Sequence, residues 1–197
     1  MTFATNRSIA DNLISERPAT RYASYVVLAV LGTLILTLSA KTRVVFGPVD
    51  MSLETLAVYA LAAAFGARLG LATLLLYMAE GAAGLPVFQA TPEKGIGLVY
   101  MMGPTGGYLA GFVLAAIVVG WAADRGWDRQ IVKFAGAVIL GEALVLGLGY
   151  GWLSALIGTH EAWQYGVVPF LVPDLIKVAL VVLAVPSIWS LISRIAR

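Results

Sequence analysis

The sequence predicts an all-α integral membrane protein: six transmembrane helices with a re-entrant or lid-like loop between helices 3 and 4. Three observations carry this. Of 197 residues 60% are hydrophobic and 12% charged, about half the charge of a soluble domain, and the mean hydropathy is +0.88. Apolar stretches long enough for roughly 30 Å of hydrocarbon alternate with short charged or Gly/Pro-broken segments. The basic residues fall mostly on one side of the resulting topology. Residues 1–197 are read as a single transmembrane domain, of which 1–21 form a cytosolic tail.

The tail holds Arg7, Asp11, Glu16, Arg17 and Arg21 and no apolar run that would serve as a signal peptide, with one amphipathic turn expected around Ile9–Ile14. Span one runs from Tyr22 to Ala40 without a charge. Residues 41–51, with Gly47-Pro48 at their centre, form a loop. Span two follows from about Ser52, a plausible cap, to Ala67. Gly66-Ala67-Arg68-Leu69-Gly70 is a tight connection to span three, which ends near Gly84. The stretch 84–103 carries Pro86, Pro92, Gly95 and Gly97, is too broken for one helix, and is read as a loop folding back at the membrane face. Span four extends from about Pro104 to Trp121, a charged loop covers 124–133, and span five reaches Leu156. After a polar loop at 157–168, span six runs from Pro169 to about Ile192.

Alternating sides place Arg7, Arg17, Arg21, Arg68, Arg125, Arg129, Lys133, Arg194 and Arg197 with the N-terminus, nine of 13 basic residues. Lys41, Arg43 and Lys94 lie opposite, and Lys177 is inside span six. Positive-inside bias then puts both termini in the cytoplasm, with an even number of spans, in the cell membrane.

Much chemistry is excluded. There is no cysteine and one histidine, His160, so thiolate and multi-histidine metal sites are out. No G-x-x-x-x-G-K-[ST], G-x-S-x-G or H-E-x-x-H occurs, and Glu93-Lys94-Gly95 does not approximate a phosphate loop. No cofactor is expected, and no nucleic-acid partner; the lipid bilayer is the evident surrounding.

The most informative residues are Asp174 and Lys177, three apart and so on one helical face inside a span. They form either a self-neutralising structural pair or a polar clamp, in which the carboxylate accepts N–H groups and the ammonium donates to a carbonyl of the same ligand. Glu54 and Glu80, at span ends, are expected to snorkel or cap. Glu142 lies deeper, with a packing or a lining role. Gly103, Gly107 and Gly111 recur at close-packing spacing, while Thr105, Gly106, Gly107 and Tyr108 would offer backbone N–H groups to an anion at a helix start. Ala29, Thr33 and Thr37 make a small-residue stripe suited to internal packing or to a partner in the membrane.

Four segments taken in order, Phe46–Ala57 (FGPVDMSLETLA), Gly81–Phe88 (GAAGLPVF), Met102–Phe112 (MGPTGGYLAGF) and Phe170–Lys177 (FLVPDLIK), resemble the successive motifs of the BioY family, the biotin-binding S components of energy-coupling factor (ECF) transporters. The resemblance covers about residues 25–190. It implies a six-helix protein that captures biotin at the outer face and is energised by a separate transmembrane coupling protein and ATPase subunits. It also implies that Asp174 and Lys177 meet the ureido ring, that Phe88, Met51, Tyr100 and Tyr108 wall the thiophane ring and chain, and that Gln89 and Thr91 supply lid contacts. The valerate carboxylate would meet Thr105 or backbone N–H groups near Gly107. Family members commonly carry Gln where this chain has Glu54. The helix-one docking pattern Ala-x-x-x-Ala is here Ala29-x-x-x-Thr33, continued by Thr37, and the loop QATPEKGIG is more charged than usual. The competing readings are a self-sufficient secondary carrier, with Glu142 proton-coupled, and an intramembrane enzyme using Asp174, Glu142 or Glu80.

Overall fold

A computed structural model describes residue 10, residues 18–46 and residues 49–195, with side chains described for residue 10, 20–42 and 52–191. Of the sequence expectations, Arg7, Asp11, Glu16 and Arg17 of the tail, Gly47-Pro48 and Arg197 lie outside the described residues, as do the side chains of Arg43, Met51 and Arg194.

Helix α1 (Pro18–Lys41) is followed by two antiparallel strands, β1 (Arg43–Phe46) and β2 (Val49–Ser52), where a plain loop was expected. The strands pair Arg43 with Ser52 and Phe46 with Val49, so a β-rich segment on either side of a Gly-Pro break folds as a hairpin. Helix α2 (Glu54–Ala82) comes next, then the short α3 (Gly97–Met101), α4 (Gly106–Asp124), a 3-10 turn (Trp127–Arg129), α5 (Ile131–Ile157), the short α6 (Thr159–Gly166) and α7 (Val168–Ile195). The expected polar loop at 157–168 is thus mostly helix, and span four starts two residues after Pro104.

Helix α2 is not straight. Gly66 sits at φ 73°, ψ 178° inside it, a backbone open to glycine because it lacks a Cβ. The chain doubles back there: a Cβ on Gly70 would lie 3.3 Å from the Ala62 Cα, and the Tyr77 hydroxyl donates to Glu54 Oε1 at 2.8 Å. Residues 23 apart in a straight helix would be about 34 Å apart. Two antiparallel arms, 54–65 and 67–82, therefore stand side by side. The first is buried on nearly every side, as its Ala-rich surface allows.

Among the described residues, five helical stretches are long and apolar enough to cross a membrane, with the folded-back α2 counted as one. This is a multi-pass membrane protein, and the side chains turned outward fit that solvent. On α1, Val26, Val27, Val30, Leu31, Leu34, Ile35 and Leu38 are exposed, whereas Ala29, Thr33, Leu36 and Ala40 are buried at helical spacing. Thr33 donates to Glu80 Oε1 at 3.0 Å. The Ala29/Thr33 stripe, considered above for partner docking, is thus turned inward against the second arm of α2, with Thr37 partly buried at its edge. Glu80, partly exposed, accepts the Thr33 hydroxyl at a span end.

Helices α4 and α5 approach closely through glycine. A Cβ on Gly111 would fall 2.6 Å from the Val145 Cα, and one on Gly107 would strike Leu148 and Trp152. Gly107 and Gly111 therefore form a packing seam, whereas a Cβ on Gly103, before α4 begins, would meet the Tyr100 carbonyl instead. One end of the bundle is closed by contacts among charged connections. Asp124 accepts the Ala67 N–H at 3.0 Å beside the α2 turn, and Asp128 accepts the Trp189 indole N–H. A cavity opens toward the opposite end.

Candidate ligand-binding site

The cavity holds about 190 Å³ and is lined by residues from β2, from each of the helices α2 to α7, and from the two loops that carry Gln89 and Thr105. Its polar end is built by α2 and α7. Lys177 donates to Asp174 Oδ1 at 2.7 Å and to Thr55 Oγ1 at 2.9 Å, and the Thr55 hydroxyl lies 3.5 Å from Asp174 Oδ1. Pro173 precedes the pair inside α7 without ending the helix. Asp174 and Lys177 are only 3% and 7% exposed, so their charges are held by each other and by the cavity. A buried pair with polar capacity turned to an empty volume can engage a ligand that both accepts and donates.

Glu54, 4% exposed, adds a second carboxylate to this end. The snorkelling expected from its place at a span start does not occur: β2 and the second arm of α2 enclose it, and Tyr77 supplies its hydrogen bond. Ser52, also lining the cavity, accepts the Glu54 N–H at 3.4 Å. Two carboxylates against one ammonium make this end acceptor-rich. It favours a group with several N–H donors and disfavours an anion.

The walls are apolar. Leu109, Phe112, Val145, Leu146, Leu153 and Phe170 line the cavity together with Tyr100 and Tyr108, the ring of the latter 6.2 Å from the Phe170 ring. The Tyr108 hydroxyl donates to the Gly166 carbonyl at 2.7 Å, which fixes its ring beside the cavity. Burial pushes the Tyr100 phenol above its ordinary value, partly offset by Thr105, so it meets a ligand as a neutral hydroxyl. Thr105, just before α4, and Gln89, in the loop after α2, complete the lining. A mostly apolar cavity with a few convergent polar groups is the usual form of a small-molecule site.

Seven of the residues singled out from sequence meet here: Asp174, Lys177, Glu54, Gln89, Tyr100, Thr105 and Tyr108. Others stand elsewhere. Phe88 is 1% exposed and stacks behind Tyr100 at 5.1 Å, edge-on to Tyr77 at 5.2 Å, so it supports the wall without lining it. Thr91 is turned toward Lys41, and Gly107 serves the helix seam. Met51 is placed on β2, three residues before α2 begins, with its side chain outside the described set. Glu142 does not line the cavity; it accepts the Tyr59 hydroxyl at 2.6 Å. The residues missed are Thr55, Ser52, Tyr165 and the apolar wall. Only Thr55 had a usable signal, a hydroxyl beside Glu54 at the start of a span.

Fold and cavity together define a helical membrane protein with a mostly apolar cavity of small-molecule size. Residues 10–194 match the BioY family model, and the chain belongs to the BioY family. It is 32% identical over 82% of its length to a probable biotin transporter BioY from Pyrococcus horikoshii, covering 93% of that protein. It is also 32% identical to the biotin transporter BioY of Thermotoga maritima, over 77% of this chain and 87% of that one. The fold is similar to the crystal structure of the S-component for biotin from an ECF-type ABC transporter. That match has a TM-score of 0.72 at 20% identity and covers 86% of this chain and 92% of the other. The family and these relatives are transporters, not enzymes.

Proposed function

We propose that this chain captures biotin for uptake, as the membrane-embedded S component of an ECF-type transporter. The observation that carries the reading is the buried Asp174–Lys177–Thr55 cluster at the end of an otherwise apolar cavity. Biotin's ureido ring offers two N–H donors and one carbonyl. Asp174 and Glu54 are acceptors for the former, and Lys177 is the donor for the latter. The thiophane ring and aliphatic chain lie against Tyr100, Tyr108, Leu109 and Phe112. The valerate carboxylate points away from the two carboxylates, toward Thr105 and the backbone N–H groups that open α4.

In this reading both arms of α2 cross the membrane, giving six crossings in a single domain over 1–197. The arms are about 18 and 24 Å long, short for the bilayer, and the turn at Gly66 and the hairpin before Glu54 make up the depth. The charged connections at 66–70 and 125–133 face the cytoplasm with both termini, and the cavity faces outward across the cell membrane. The loop after α2, carrying Gln89, is the lid. Energy comes from a separate coupling protein and ATPase subunits.

Uptake of labelled biotin by biotin-auxotrophic cells tests this. The expected result is accumulation when the chain is expressed with an ECF coupling module and little without one. Equal accumulation driven by a proton gradient in vesicles lacking any ATPase would point instead to a secondary carrier, and no association with biotin in either setting would overturn the reading.

A further inference from the structure

Lys41, the last residue of α1, directs its ammonium at a four-residue segment of the loop after α2. Its Nζ donates to the Phe88 carbonyl at 2.8 Å, to the Thr91 carbonyl at 2.6 Å and to Thr91 Oγ1 at 2.7 Å. An ammonium has three donors, and these three acceptors lie within one turn of chain. The Thr91 hydroxyl in turn donates to the Phe88 carbonyl at 2.6 Å. Between the two anchored residues lie Gln89, which lines the cavity, and Ala90 at φ 52°. That left-handed conformation is strained for a residue with a Cβ and persists only where its surroundings enforce it.

We propose that Lys41 is a latch: a positioning residue that pins the 88–91 segment closed over the cavity and so sets how fast ligand enters and leaves. The segment cannot lift Gln89 off the cavity without breaking the Lys41 bonds, and once they are broken the strain at Ala90 favours the open form. Phe88 transmits the same restraint, because its ring stacks on Tyr100 of the cavity wall. Lys41 does not line the cavity and reaches Glu54 through its charge, whereas its hydrogen bonds to Phe88 and Thr91 fall on the 88–91 segment, so its main influence is on the rates of exchange. This inference rests on the biotin reading for its ligand, though not for the latch itself.

The test is Lys41→Met, which keeps the length of the side chain and removes its donors. Stopped-flow biotin binding to detergent-purified protein should show association and dissociation both faster by about tenfold, the equivalent of one hydrogen bond to a charged group, with Kd changed by less than about threefold. Thr91→Val, which removes one of the three acceptors, should move both rates the same way by less, and carries the test if Lys41→Met does not fold. In ligand-free protein, amide exchange of the peptide spanning 88–95 should quicken in both variants. Unchanged rates would overturn the latch. So would a weaker Kd at an unchanged association rate, which would mark Lys41 as a ligand contact. If the parent protein binds no biotin, the functional reading fails on its own, and unchanged exchange across 88–95 would still refute the latch while faster exchange would support it.

Discussion

Lys177 stands one helical turn beyond Asp174 on α7 and donates to its Oδ1 at 2.7 Å, while a second bond of 2.9 Å ties the same ammonium to Thr55 on α2. The ion pair therefore joins two helices as well as closing one end of the cavity. Truncating one partner strands the other charge in a buried site, which costs about 3–5 kcal/mol. Asp174→Ala and Lys177→Ala should each lower the melting temperature and weaken biotin binding at least about a hundredfold. In the double variant the stranded charge is gone, so thermal stability should partly return and binding should not. Calorimetry alongside thermal melts checks this; a double variant that regains both would make the pair purely structural.

Glu54 and Tyr77 hold the two arms of α2 together at the cavity. Glu54→Gln keeps an oxygen acceptor for the Tyr77 hydroxyl and nearly the same volume, so biotin affinity should stay within about threefold of the parent. Tyr77→Phe leaves the buried carboxylate without that donor and should cost about 1–3 kcal/mol of stability. Denaturant or thermal unfolding in detergent separates the two.

The α4–α5 seam makes a steric prediction with an internal control. Valine at position 111 would drive side-chain atoms into the Val145 backbone, whereas a Cβ at Gly136, also on α5, meets nothing within 4 Å. Gly111→Val should destabilise by about 1–3 kcal/mol or more and distort the cavity. Gly136→Val should leave melting temperature and binding near the parent values.

At the charged end, burial raises the Asp128 carboxyl above its ordinary range, opposed by the Trp189 indole and by the Arg129 guanidinium. A carboxyl raised in the folded state binds its proton more tightly there than in the unfolded chain. Its contribution is then fully present below the unfolded value and is lost as pH climbs through the raised one. Asp128→Asn keeps an acceptor for the indole and removes the titration. Melts at about pH 4 and about pH 8 should show the variant gaining on the parent as pH rises; a variant that loses ground with rising pH would contradict the sign.

Much of this was legible from residue order alone. Asp174 and Lys177 stand out because ionisable groups three apart inside an apolar span must be paired or used. The folded-back α2 follows from glycines at 66 and 70 with Arg68 between them. What was not legible depends on contacts distant in sequence. Thr55 meets Lys177 across 122 residues, and Glu54 reads as a surface charge until Tyr77 and the β-hairpin enclose it. Lys41 reads as one more loop charge, because its acceptors are mostly backbone carbonyls, which no sequence pattern marks. Phe88, Gly107 and Thr33 illustrate the converse: aromatic, glycine and threonine positions look alike whether they line a cavity or pack behind it.

Recognition of biotin's ureido group by the acceptor-rich end of the cavity is what joins this geometry to uptake. Titration calorimetry of the purified protein with biotin, beside an analogue whose ureido N–H groups are blocked, tests it most directly. Biotin should bind at micromolar Kd or tighter, and the blocked analogue should not bind. Equal binding of both, or no binding by verifiably folded protein, would contradict that recognition.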